Sequence, residues 1–98
     1  MHASMELCVV PIGTDVSLSD YVVACERILE EAGLQPQLHA FGTNVEGEWD
    51  VLMTALRRCH EELHAMGAPR LQTSIKLATR TDRPQSLQDK VNSVREKL

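Results

Sequence analysis

The chain has 98 residues, 43% of them apolar and 24% charged, a globular composition sufficient for one core and too short for two. Ten Lys and Arg stand against 14 Asp and Glu, a formal net charge of −4, whereas a nucleic-acid binder normally carries a basic excess. No apolar run approaches the roughly 18 residues of a membrane helix, and the N-terminal residues lack the basic and apolar regions of a secretion signal. The expectation is a single domain over residues 1–98, in the cytosol, without a nucleic-acid or membrane partner.

Met5 to Ile12 is short and β-branched and ends at Gly13, which reads as a strand that Pro11 takes out of its ladder. Ser17 and Asp20 have the spacing of a capping box. Leu18, Val22, Cys25, Leu29 and Ala32 then repeat with helical period up to Gly33. Gln35 to Phe41 alternates as a strand, with Leu38 and Ala40 on one face and Gln37, His39 and Phe41 on the other. Thr43 to Gly47 is a brief strand or the turn of a hairpin.

Trp49, Leu52, Met53, Leu56, Cys59, Leu63 and Met66 form the apolar stripe of a second helix, closed by Gly67 and Pro69. Arg70 to Thr81 alternates again, with Leu71, Thr73, Ile75 and Leu77 on one face and Gln72, Ser74, Lys76 and Ala78 on the other. Asp82, Arg83 and Pro84 break it. Leu87, Val91, Val94 and Leu98 make a narrow stripe on a last helix capped by Ser86.

The order predicts an α+β, ferredoxin-like βαββαβ fold, an antiparallel sheet sandwich with an additional C-terminal helix. Leu38, Ala40, Leu71, Ile75 and Leu77 are expected to face the first two helices. The opposite face would carry Glu6, Cys8, Val10, Ile12, His39, Phe41, Gln72, Ser74 and Lys76. Val10, Ile12 and Phe41 make it more apolar than an open sheet face usually is, which points to self-association. The last helix is too narrow in its apolar stripe to stand alone and must dock on its own domain or on a neighbour.

Cys8, Cys25 and Cys59 are scattered and odd in number, without C-x-x-C, and read as reduced thiols filling apolar positions. His60 and His64, four apart, read as edge or surface histidines, because no Cys or His cluster nearby supplies a third metal ligand. Gly42 and Gly47 form no phosphate-binding loop. The informative cluster is Phe41 to Gly47, where Thr43, Asn44 and Glu46 bring a hydroxyl, an amide and a carboxylate together between two glycines. With Phe41, Trp49 and Tyr21 they would make a small pocket offering stacking, hydrogen bonds and one negative charge. Alternatively, the polar residues simply satisfy the backbone of their own hairpin.

The run from His39 to Glu48, His-Ala-Phe-Gly-Thr-Asn-Val-Glu-Gly-Glu, resembles the H-x-M-G-T-x-x-E-G signature of the small, YkoF-like thiamine-binding proteins. Val9 to Thr14, Gly67 to Lys76 with Arg80 and Asp82, and Lys90 to Val94 extend the similarity over Met5 to Leu98. Phe41 stands where relatives often carry Met, and Ala78 where many carry Asp. The resemblance implies a ferredoxin-like domain assembling into sheet-to-sheet dimers and tetramers, which binds thiamine or a hydroxymethylpyrimidine between subunits.

The expected function is therefore a non-catalytic binding protein without a cofactor. Its ligand-binding residues would be Phe41 for stacking, Thr43 and Asn44 for hydrogen bonds and Glu46 for the cation. Two rival readings are an oligomeric structural or regulatory module that binds no thiamine, and an enzyme acting on a small anion held by Arg70, Lys76 and Arg80. In the last case the basic residues could instead be strand-end charges paired with Asp82 or Glu6.

Overall fold

The computed structural model describes residues 1–15 and 17–98. Its elements are β1 (His2–Ile12), α1 (Leu18–Glu31), β2 (Gln37–His39), β3 (Gly42–Glu48), α2 (Trp49–Ala65), β4 (Arg70–Ala78) and α3 (Leu87–Arg95). All strand pairings are antiparallel, in the order β2-β3-β1-β4. This is the ferredoxin-like arrangement expected from the sequence, with a helix added at its end.

Strand β1 organises the domain. Its odd-numbered residues Ala3, Met5 and Leu7 are buried under α1 and α2 together with Val45 and Thr43 of β3. Its even-numbered residues Ser4, Glu6, Cys8 and Val10 lie on the opposite face, as the alternation requires. Helix α2 buries Leu52, Ala55, Cys59 and Leu63, one turn apart on its predicted face. In α1 the buried face is Tyr21, Cys25, Ile28 and Leu29, rotated from the predicted stripe. Leu18 is 55% exposed, because it belongs to the first turn, beyond the core cluster.

Several boundaries differ from the sequence reading. Strand β1 starts at His2 and remains paired with β4 through Pro11↔Leu71 and Ile12↔Arg70. Pro11 is tolerated because the pairing with β3 has already stopped at Leu7↔Thr43, leaving that side of β1 a free edge. Strand β2 shrinks to three residues, Ala40 and Phe41 form the turn, and Thr43 to Gly47 belongs to a full strand. Strand β4 stops at Ala78 rather than Thr81. The capping box expected at α1 is not formed, and Ser17 Oγ instead meets Ser19 Oγ at 2.8 Å. The one at α3 is complete, with Ser86 and Asp89 bonded reciprocally.

The helix side of the sheet is covered unevenly. Leu71 packs against the core, but Leu38 is 62%, Ile75 39% and Leu77 42% exposed. They have the predicted facing, since Leu38 pairs with Thr43, Ile75 with Leu7 and Leu77 with Met5. Two helices do not reach across the outer strands, so facing the helices does not amount to burial there.

Candidate ligand site

The four predicted ligand residues do not converge. Phe41 sits at the tip of the β2–β3 turn and is 85% exposed. Thr43 points into the helix side, 6% exposed, and donates its hydroxyl to the Glu26 carboxylate of α1. Asn44 and Glu46 lie on the opposite, open face, two residues apart. The aromatic cluster does not form either. Tyr21 is in the core with its hydroxyl 3.2 Å from Thr14 Oγ1, and Trp49 packs half-buried on the core edge.

Asn44 Oδ1 lies 3.1 Å from His39 Nε2, which is also 3.4 Å from a Glu6 carboxylate oxygen. Glu46 Oε2 is 3.3 Å from His2 Nε2. Both Glu46 oxygens also accept the backbone N–H of Leu87, at 3.1 and 3.2 Å. A contact between β3 and the first residue of α3, 41 positions apart, had no signal in the sequence.

That contact closes one side of a cleft of about 910 Å³. Its floor is His2, Ser4, Glu46 and Ala78, and its wall is the segment from Thr79 to Lys90. The volume suits a molecule of vitamin size. Asn44 lies outside this lining and borders a smaller neighbouring hollow shared with Glu46, Leu87 and Gln88. Arg80, in the cleft wall, makes two hydrogen bonds to Asp82, of 2.7 and 2.6 Å, and a third to Gln85 Oε1 at 2.5 Å. The guanidinium holds the Asp82 carboxyl well below the usual carboxylate range. Lys76 Nζ is 3.8 Å from Glu6. Two of the three basic residues considered for an anion site, Lys76 and Arg80, are thus paired with the two acids named as their alternative partners. Arg70 lies at the far end of β4 from Arg80.

Residues 60–64, His-Glu-Glu-Leu-His, spell the H-E-x-x-H pattern of zinc hydrolases. Their geometry gives a structural role. His60 Nε2 is 2.6 Å from Thr73 Oγ1 of β4, and His64 Nδ1 is 2.8 Å from the Ala68 carbonyl at the end of α2. Among the described residues no cluster of three His, Cys, Asp or Glu is placed to hold a metal. The cysteines are free thiols. Cys25 and Cys59 are buried where α1 meets α2, while Cys8 is half-exposed on the open face. Contact with Cys59, together with burial, pushes the Cys25 thiol pKa up.

An antiparallel sheet in this strand order, with two helices on one face and an open cleft on the other, defines a ferredoxin-like α+β domain. The chain belongs to the thiamine-binding protein family, whose model matches residues 5–95. It is 52% identical over 94 residues to a UPF0045 protein of Synechocystis sp., covering 96% of this chain and 78% of that protein. A hypothetical protein of Methanocaldococcus jannaschii shares the fold with a TM-score of 0.86 at 24% identity, covering 97% of each chain. A candidate thiamine biosynthesis/salvage protein of Thermotoga maritima shares it with a TM-score of 0.81 at 18% identity, covering 96% of this chain and 99% of that one. Among the described residues no helix is long and apolar enough to cross a membrane.

Proposed function

We propose that this chain is a non-catalytic, cytosolic binding protein for thiamine or a related hydroxymethylpyrimidine, held near the interface between subunits of a dimer or tetramer. The observation that carries the reading is Glu46, a carboxylate 28% exposed on the floor of the cleft, in a chain of the thiamine-binding family. Thiamine presents a fixed cationic ring and an aminopyrimidine with donor and acceptor edges. A half-buried carboxylate satisfies the first or pairs with the amino group of the second. Asn44, on the same face, offers both a donor and an acceptor.

Phe41 and Glu46 are five residues apart, about 16 Å along an extended chain. Phe41 also stands in the turn, outside the lining of the cleft. The stacking ring therefore comes from the hairpin tip of a second copy packed over the open face, where Val10 is 41% exposed. Thr43, turned the other way, serves the site indirectly by tying β3 to α1.

Paired calorimetric titrations test the roles. Glu46→Gln should weaken thiamine more than neutral hydroxymethylpyrimidine, by about tenfold to a hundredfold, or about 1–3 kcal/mol. Phe41→Ala should weaken both. Equal losses in Glu46→Gln, with the oligomer intact, would place the carboxylate against the pyrimidine or in the hairpin alone.

One observation favours the module without thiamine: both Glu46 oxygens are already engaged, by Leu87 and His2. A carboxylate whose task is to fasten α3 would look the same. Absence of binding of either compound by the unmutated protein selects this reading.

A further inference from the structure

The cleft is lined by three acids, Glu46, Asp82 and Asp89, and three cations, Arg80, Arg83 and Lys90, so its charges balance in a chain of net charge −4. Every acid is committed within the chain. Glu46 accepts from Leu87 and lies beside His2, Asp82 is gripped by Arg80, and Asp89 caps α3. Of the cations only Arg80 is engaged, and its bonds to Asp82 and Gln85 fold the segment after β4 on itself. The side chains of Arg83 and Lys90, on the same wall, have no hydrogen-bond or ion-pair partner among the described residues. Lys90 also stands where a helix disfavours a cation. It is the fourth residue of α3, in the turn whose free N–H groups carry partial positive charge. Its neighbours three and four positions away, Ser86, Leu87, Ser93 and Val94, include no acid to offset that placement. Arg83 precedes Pro84, which disfavours a helical backbone at Arg83 and keeps it in the wall rather than in α3.

We propose that the cleft takes a phosphate monoester, Arg83 and Lys90 holding the phosphate while Glu46 faces the cationic or amino-bearing ring at the ligand's other end. The phosphate subsite rests on the thiamine reading above for the ring and deepens it by naming the phosphorylated form as the ligand. A phosphate monoester carries about −1.5 to −2 charge at pH 7. Two free cations match that charge, and a guanidinium adds a planar pair of donors suited to phosphate oxygens. The acid on the floor and the free cations on the wall make the cleft two-ended, which fits a ligand with opposite charges at its two ends. A ligand that is neutral or purely cationic would leave both wall cations unmatched.

The test is calorimetric titration of the unmutated protein with thiamine, thiamine monophosphate and inorganic phosphate. The monophosphate should bind about fivefold to twentyfold more tightly than thiamine, the margin that two exposed charge-assisted contacts allow. That margin should narrow as salt rises from about 0.05 M to about 0.5 M. Inorganic phosphate should weaken binding of the monophosphate and leave thiamine unaffected. Arg83→Gln with Lys90→Gln should erase the margin and keep thiamine within about twofold of its original affinity. Both side chains are exposed, so the double variant should fold; Arg83→Gln alone, which leaves α3 untouched, should lose part of the margin. Without ligand, Lys90→Gln should slow amide exchange in the first turn of α3, because it removes a cation from the positive end of the helix. Faster exchange would show that Lys90 serves the helix, and overturns its role in the subsite. Equal affinity for thiamine and its monophosphate, or a margin that survives in the double variant, overturns the phosphate subsite and leaves the thiamine reading in place. Phosphate binding that the double variant abolishes, without binding of thiamine, supports the subsite and removes the thiamine reading. Binding of none of the three compounds overturns both.

Discussion

The Glu46 carboxylate on β3 accepts the backbone N–H of Leu87, the first residue of α3, through both of its oxygens. The opening N–H groups of a helix have no partner inside it and favour negative charge nearby. Here they are met from two directions. Ser86 and Asp89 close a local capping box, and Glu46 reaches in from the sheet. Helix α3 buries none of its own residues, so this polar tie fixes where its start rests on the domain, and it lies at the cleft. A ligand cation that engages Glu46 would meet a carboxylate already committed to holding the cleft wall.

Removing that tie should loosen α3 and little else. In Glu46→Ala, hydrogen exchange at the amides of Leu87 to Lys90 should accelerate, while those of β1 and α2 keep their protection. Global stability should fall by no more than about 1.5–3 kcal/mol, the range for a hydrogen bond to a charged group. Unchanged exchange at Leu87 would mean that α3 is held by something else.

Acid should release the local cap. The Ser86 backbone N–H holds the Asp89 carboxyl below its ordinary value. A depressed folded-state pKa gives stability that is present above the unfolded value of about 3.9. It is lost as pH falls through the lower, folded value. Amide shifts of α3, followed from about pH 5 to pH 2, should report fraying that Asp89→Asn already shows at neutral pH. Ser86→Ala should cost the helix about 1 kcal/mol.

Core and periphery should separate cleanly under truncation. Leu63 is 0% exposed between α2 and the sheet, and Leu63→Ala should destabilise by about 2–5 kcal/mol in urea. Val94 is 60% exposed on α3, and Val94→Ala should change the monomer's stability by less than about 0.5 kcal/mol. A large loss there, disappearing on dilution, would show that the α3 stripe is buried in the oligomer.

Gly42 is needed for space as well as for conformation. Its φ is +156°, and a Cβ there would lie 2.8 Å from the Leu7 carbonyl oxygen. Gly42→Ala should therefore destabilise by about 1–3 kcal/mol, read by urea unfolding, through displacement of the hairpin that carries Phe41.

The elements were legible where a long period spoke for itself. Leu52, Cys59 and Leu63 announce α2, and the alternation along β4 gives its two faces. In α1 the longer apolar pattern hid the facing, because Tyr21 and Ile28 go inward while Leu18 lies past the end of the core. The candidate site was legible as composition but not as geometry. Thr43 and Asn44 are neighbours, and once β3 is a strand they must point to opposite faces. Phe41, in the turn, belongs to neither. The Glu46–Leu87 contact joins segments 41 positions apart through a backbone N–H, a group that every residue except proline carries and no side chain signals.

The most direct test of the ligand proposal is calorimetric titration of the unmutated protein with thiamine and with hydroxymethylpyrimidine, its assembly state measured in the same buffer. The expected result is saturable binding of at least one of them by an oligomer, at a stoichiometry of one per subunit or one per pair. Heats indistinguishable from dilution for both compounds, with the oligomer intact, would contradict it.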